Sequence, residues 1–171
     1  RQEMRTLKFI NQQLIKDTNM KHLYTSIYHN PGISRAHLSK QTALSKTTVS
    51  TLIDELIERN FILDGGAGES GTTGRKPNQL YIRRNSHFVV VFNWYENRIY
   101  THLVDIAGTS VFQEAYELKQ GEAYVSASRN CFQNSVLQHC APDEILGICV
   151  VIAAMIDEKH EEIYSTTISL P

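Results

Sequence analysis

Apolar side chains recur at Val49, Leu52, Ile53, Leu56 and Ile57. This i, i+3, i+4, i+7, i+8 spacing lays one stripe along a helix and predicts that the stripe is buried. Ser45 stands just before the stripe, where a serine oxygen can accept an unpaired N–H of the first turn. Ser34 is placed in the same way before a shorter segment, so residues 34–60 (SRAHLSKQTALSKTTVSTLIDELIERN) predict two helices joined by a tight turn. The face opposite the stripe opens with Lys46, Thr47, Ser50 and Thr51, which are short or basic hydrogen-bonding residues. Asp54 and Glu58 follow on that face, where carboxylates would repel phosphate.

The flanks extend the pattern. Leu7, Phe9, Ile10, Leu14 and Ile15 predict a helix within residues 1–18. Thr18 or Asn19 would then cap a second helix with Leu23, Tyr24 and Ile27 on its buried face, stopping before Pro31-Gly32. After the helix pair, Asn60 suits a left-handed helix end and Phe61-Ile62-Leu63 begins a strand. Residues 65–76 (GGAGESGTTGRK) are glycine-rich and polar, and a strand returns over residues 79–83. Helix pair, strand, loop and strand make a winged helix-turn-helix, with Arg75-Lys76-Pro77 at the wing tip. A stiffened pair of cations there suits a narrow minor groove or a phosphate backbone.

From His87 the pattern changes. HFVVVFNW, RIYTHLVDI and SVFQEAYEL predict three strands, followed by a helix over about residues 122–139. ILGICVVI, residues 145–152, is an almost unbroken β-rich run of the kind buried on both faces of a sheet. The tail, Glu162 to Pro171, predicts one further short strand. The expected architecture is an α+β winged helix-turn-helix domain over residues 1–84, then a partial α/β domain over residues 85–171.

Charge follows the same division. Residues 1–84 hold 13 Lys and Arg against 7 Asp and Glu, and residues 85–171 hold 4 against 11, which together give the overall −1. A basic half that also carries the helix pair points to a nucleic-acid partner for that half. A hydrophobic fraction of 42% and a charged fraction of 20% are those of a globular chain, and the longest apolar run is too short to span a bilayer. Cys131, Cys140 and Cys149 form no CxxC pair and fit a reducing cytoplasm rather than a disulfide framework. His22, His29, His37, His139 and His160 have no HxxxH spacing among them, so no metal site is predicted. No nucleophile-elbow motif is present, and no catalytic residue is predicted. The aromatic run Phe92, Trp94 and Tyr95 reads as an interface.

KDTN at residues 16–19, PGISRAHLSKQTALSKTTVSTLIDELIERN at 31–60 and GESGTTGRKP at 68–77 resemble the N-terminal domain of the ROK family (repressors, open reading frames and sugar kinases). The resemblance is strongest to the xylose-repressor branch. The helix-turn-helix pattern of small residue, glycine and valine falls on Ser39, Ala43 and Val49, with alanine replacing the glycine. LVDIAG at 103–108 and ILGICVVIAAMID at 145–157 look like the start of the family's sugar-kinase-like, actin-like ATPase domain. Where that domain binds ATP phosphate through an aspartate and close glycines, this chain has Asn93-Trp94-Tyr95-Glu96-Asn97. Bulky aromatics and Glu96 there argue against nucleotide binding, since backbone N–H groups must approach the anion closely. Sugar kinase is thus the weaker reading, as is a chain whose second half serves only association. No cofactor is expected.

The resemblance implies a cytoplasmic repressor of carbohydrate-utilisation genes that binds double-stranded operator DNA as a homodimer, without a membrane. It implies a sugar effector in full-length relatives. Lys46, Thr47, Ser50 and Thr51, with Ser45 and Thr48 of the same turns, are the candidate groove-reading residues. Arg35, Lys40, Arg75 and Lys76 are the candidate phosphate or minor-groove contacts.

Overall fold

A computed structural model of the protein describes residues 2–67, 78–165 and 168. It divides into two compact units, Arg1–Arg83 and Arg84–Pro171. In the first unit α1 spans Gln2–His29, α2 Arg35–Thr42 and α3 Lys46–Glu58, followed by β1 (Ile62–Ala67) and β2 (Asn78–Ile82). The strands pair antiparallel, and Ile33 adds a bridge to Leu80 on the far side of β2. Gly32 donates to the Leu80 carbonyl at 2.9 Å and Leu80 donates to the Ile33 carbonyl at 3.1 Å, which ties the segment before α2 to the sheet.

The predicted stripe is the core of this unit. Val49, Leu52, Ile53 and Leu56 are buried against Met20, Leu23 and Ile27 of α1, Leu38 of α2, Ile62 of β1 and Leu80 of β2. Every element places at least one side chain here, so no pair of them would fold alone at this size. Asn60 closes α3 with φ +61, while the Phe61 and Asn60 N–H groups donate to the Leu56 and Ile57 carbonyls at 2.9 and 3.0 Å. That is the Schellman arrangement, and it turns the chain directly into β1. Tyr81 lies so close to the backbone that a Cβ at Gly65 would come within 2.9 Å of its ring, so glycine is required for the strands to approach.

Two expectations for this unit change. The helices proposed on either side of Thr18 are one helix, because no Pro or Gly interrupts the segment. Thr18 does not cap; its hydroxyl donates back to the Leu14 carbonyl at 2.8 Å within α1. As a result Leu14 and Ile15 are 63% and 60% exposed, ahead of the stretch of α1 that reaches the core. The first strand also runs past Gly65, which the composition had assigned to the loop.

The second unit is a four-stranded sheet in the order β5-β4-β3-β6, where β3 is Phe88–Tyr95, β4 Arg98–Asp105, β5 Ser110–Glu117 and β6 Ile145–Ile152. β3, β4 and β5 form an antiparallel meander, and β6 runs parallel to β3. The crossover to β6 contains α4 (Tyr124–Asn134), shorter than the predicted helix and followed by two 3-10 turns, Val136–Gln138 and Pro142–Glu144. Ala127 and Cys131 of α4 pack on Phe88, Val90 and Phe92 of β3 and on Ile99 and Leu103 of β4. β7 (Met155–Asp157) and β8 (Glu162–Tyr164) form a separate short hairpin.

β6 is not buried on both faces. Among the described residues it pairs with β3 alone, and Leu146, Ile148, Val150 and Val151 are 51%, 56%, 47% and 44% exposed. A β-rich run records what a strand can bury; burying a face also requires side chains packed over it, and among the described residues those on β6 lack that cover. The aromatic run is also reassigned. Phe92 is buried, and Trp94 stacks on Tyr124 at 5.2 Å and donates its ring N–H to Ser128 Oγ at 2.9 Å. Both are packing residues of this unit, and of the three only Tyr95 is exposed.

Ala43 occupies the left-handed region between α2 and α3, with φ 58 and ψ 13. A side chain there costs roughly 1 kcal/mol, which glycine avoids. Ala43→Gly should raise stability by about 0.5–1 kcal/mol, seen as a higher urea midpoint at unchanged slope by far-UV circular dichroism. An unchanged or lower midpoint would show that the turn carries no such strain.

Candidate nucleic-acid interface

The candidate surface is built from the ends of two helices. Ser34 and Ser45 cap as the sequence predicts: Ser34 Oγ accepts from the His37 N–H at 3.2 Å and Ser45 Oγ from the Thr48 N–H at 3.1 Å. The Ser45 and Thr48 hydroxyls also share a hydrogen bond at 2.8 Å. The turn between the helices is closed by Ser39 Oγ, which donates to the Leu44 carbonyl at 2.7 Å. These local bonds set the angle of α3 against α2 before any partner arrives.

With the stripe of α3 buried, Lys46, Thr47 and Thr51 are exposed on the opposite side and Ser50 is half-buried beside them. Lys40 is exposed at the end of α2. The structure brings Lys46, Thr47, Ser50 and Thr51 onto one ridge at the positive end of the α3 dipole. Ser45 and Thr48 lie at its start, but their hydroxyls are engaged in capping. Arg75 and Lys76 lie outside the described residues.

The Arg35 guanidinium is engaged within the unit, 2.7 Å from Asp54 Oδ1 and 3.8 Å from Asp64 Oδ2. Asp54, which the sequence marks as a repulsive charge on the reading face, is therefore neutralised from within the unit. The sequence pattern did not reveal this pairing, since Arg35 and Asp64 belong to different elements and share no periodic spacing. Elsewhere Lys16 Nζ pairs with Glu55 Oε2 at 2.6 Å and anchors α1 to α3.

The ridge can hydrogen-bond and carry charge. It holds three hydroxyls and an ammonium, with a cap at its start, in a helix narrow enough for a major groove. Where the family resemblance implies a phosphate-binding loop, β3 turns directly into β4, with Tyr95 paired to Arg98 and Glu96 at φ +53. That tight hairpin holds no glycine cradle for an anion.

Residues 16–62 match the family model described as winged helix-turn-helix DNA-binding. The chain is 30% identical over 153 residues to the xylose repressor of Caldicellulosiruptor bescii, covering 87% of this chain and 38% of that protein. It is 25% identical over 161 residues to the xylose repressor of Bacillus spizizenii, covering 91% of this chain and 41% of that one. The chain thus spans about two-fifths of the length of these curated relatives. The crystal structure of a ROK-family transcriptional regulator, a homologue of the Escherichia coli MLC protein, superposes with a TM-score of 0.65. It covers 83% of this chain and 37% of that chain at 18% identity, a likeness of fold.

Ser45→Ala should cost about 1 kcal/mol of stability, because the Thr48 N–H loses its acceptor, while Ser45→Asp should keep nearly all of it. Urea unfolding of the two variants measures this, and equal loss in both would remove the cap from the account. In sequence the chain is similar to xylose repressors, and in fold to a ROK-family regulator: a winged helix-turn-helix unit followed by a mixed α/β sheet unit.

Proposed function

We propose that this chain is a sequence-specific DNA-binding repressor of carbohydrate-utilisation genes, acting on operator DNA in the cytoplasm. The observation that carries this reading is the exposed ridge of α3. Lys46, Thr47 and Thr51 are held by a buried stripe, and among the described residues their side chains make no hydrogen bond or ion pair. Buried side chains fix the helix, so these residues can meet base edges without reordering it. Lys40 supplies charge for phosphate beside the ridge. Arg75 and Lys76 belong to the proposal on the basis of sequence alone.

Residues 1–84 serve as the DNA-reading domain and residues 85–171 as the opening part of a ROK-type domain. The curated relatives are named xylose repressors, which supports a sugar effector for the whole protein. Helix-turn-helix proteins of this kind bind half-sites one helical turn apart, so a homodimer on a palindromic operator completes the reading. No described helix is long and apolar enough to cross a membrane. The hairpin at Tyr95–Arg98 and the names of the relatives support a regulator rather than a kinase.

Lys46→Ala should weaken binding to a duplex selected from a random pool by about tenfold or more, the range of a lost base contact. It should also narrow the gap between the selected and a random duplex, with an unchanged urea midpoint. A gel-shift titration at fixed salt checks both. Wild-type affinity in the variant would remove Lys46 from the reading surface.

A further inference from the structure

Arg35 opens α2, at the edge of the candidate interface, and its guanidinium is used inside the unit. Nη1 lies 2.7 Å from Asp54 Oδ1 and donates to the Ser50 carbonyl at 3.3 Å, both on α3. Nη2 lies 3.8 Å from Asp64 Oδ2 on β1, and that same oxygen accepts a 2.9 Å hydrogen bond from Asn78 Nδ2 on β2. One planar group thus connects α2, the reading helix and both strands of the hairpin. The Arg35 and Asp64 side chains are 28% and 23% exposed, so water competes for these contacts only in part.

We propose that Arg35 is a positioning residue, which holds the β1–β2 hairpin at a set angle to α3 so that helix and hairpin engage one duplex together. The proposal rests on the DNA-binding reading above. Two elements that meet the same duplex bind best when their relative placement is fixed beforehand, because less ordering is left to the complex. Arginine suits the task for a chemical reason. Its five donors lie in a rigid fork that can satisfy Asp54, the Ser50 carbonyl and Asp64 in different directions. A lysine ammonium carries the same charge but is a single point on a flexible stem, and it cannot span these partners. Arg35 also cancels the Asp54 charge one turn beyond Ser50, on the face proposed to meet DNA.

A phosphate contact and a positioning residue make opposite predictions. Arg35→Lys keeps the charge and loses the fork, and should weaken binding about tenfold. Asp64→Ala removes a negative charge near the DNA, yet should weaken binding by a similar factor because the hairpin is released. Neither change should alter the slope of log affinity against log salt, since no phosphate contact is lost. The measurement is fluorescence anisotropy of a labelled duplex, selected from a random pool by the wild-type chain and titrated across a series of KCl concentrations. Far-UV circular dichroism and urea midpoints establish that each variant folds. If one variant fails to fold, the other decides the question. Wild-type affinity in Arg35→Lys, tighter binding by Asp64→Ala, or a slope reduced by about 0.9 in Arg35→Ala would overturn the positioning role. Failure of the wild-type chain to enrich any duplex would instead remove the DNA-binding reading itself, leaving the geometry around Arg35 in place.

Discussion

The first unit depends on the burial of one stripe of α3. Val49, Leu52, Ile53 and Leu56 are the surface on which α1, α2, β1 and β2 converge. Burying each such side chain is worth roughly 1.5–3 kcal/mol, so rotating α3 by one residue would lose more than any cap or ion pair supplies. The same burial decides what faces outward. With the stripe inside, Lys46, Thr47 and Thr51 have no other direction available. Core and candidate reading surface are two sides of one periodic pattern.

Caps and ion pairs act on what the stripe leaves undetermined. Ser34, Ser45 and Asn60 set where the helices start and stop, and Ala43 accepts a left-handed turn so that α2 and α3 can meet within three residues. Arg35 then links the helix pair to the hairpin through Asp54 and Asp64. Its charge stays within the unit, so the basic balance of the first half overstates the charge available to a nucleic acid. Lys40 and Lys46 remain exposed and are the cations proposed for that role in the described part of the candidate interface.

What was legible in the sequence is what is decided locally. The α3 stripe, both serine caps, the Asn60 stop and the three-strand meander each follow from residues a few positions apart. Thr18 was misread because a capping residue ends a helix only where the chain leaves helical geometry, and nothing between Asp17 and Met20 forces it to. The exposure of β6 was misread for a different reason: Ile148 and Val150 fit a buried strand, but which neighbour covers them is a tertiary fact. Arg35 was read as a phosphate contact because its type and place fit one, and its pairing with Asp64 across the fold has no local signature. The exposed ridge of α3 was therefore visible in the sequence, and the pairing of Arg35 with Asp54 and Asp64 beside it was not.

We propose the first two turns of α3 and the adjoining hairpin as the DNA-reading surface. Amide shift mapping of the isotope-labelled chain, titrated with the selected duplex, tests it most directly. The account predicts the largest perturbations at residues 45–51 and along β1 and β2, with little change in β3–β6. Perturbations centred on β3–β6, or none at residues 45–51 under saturating DNA, would contradict it.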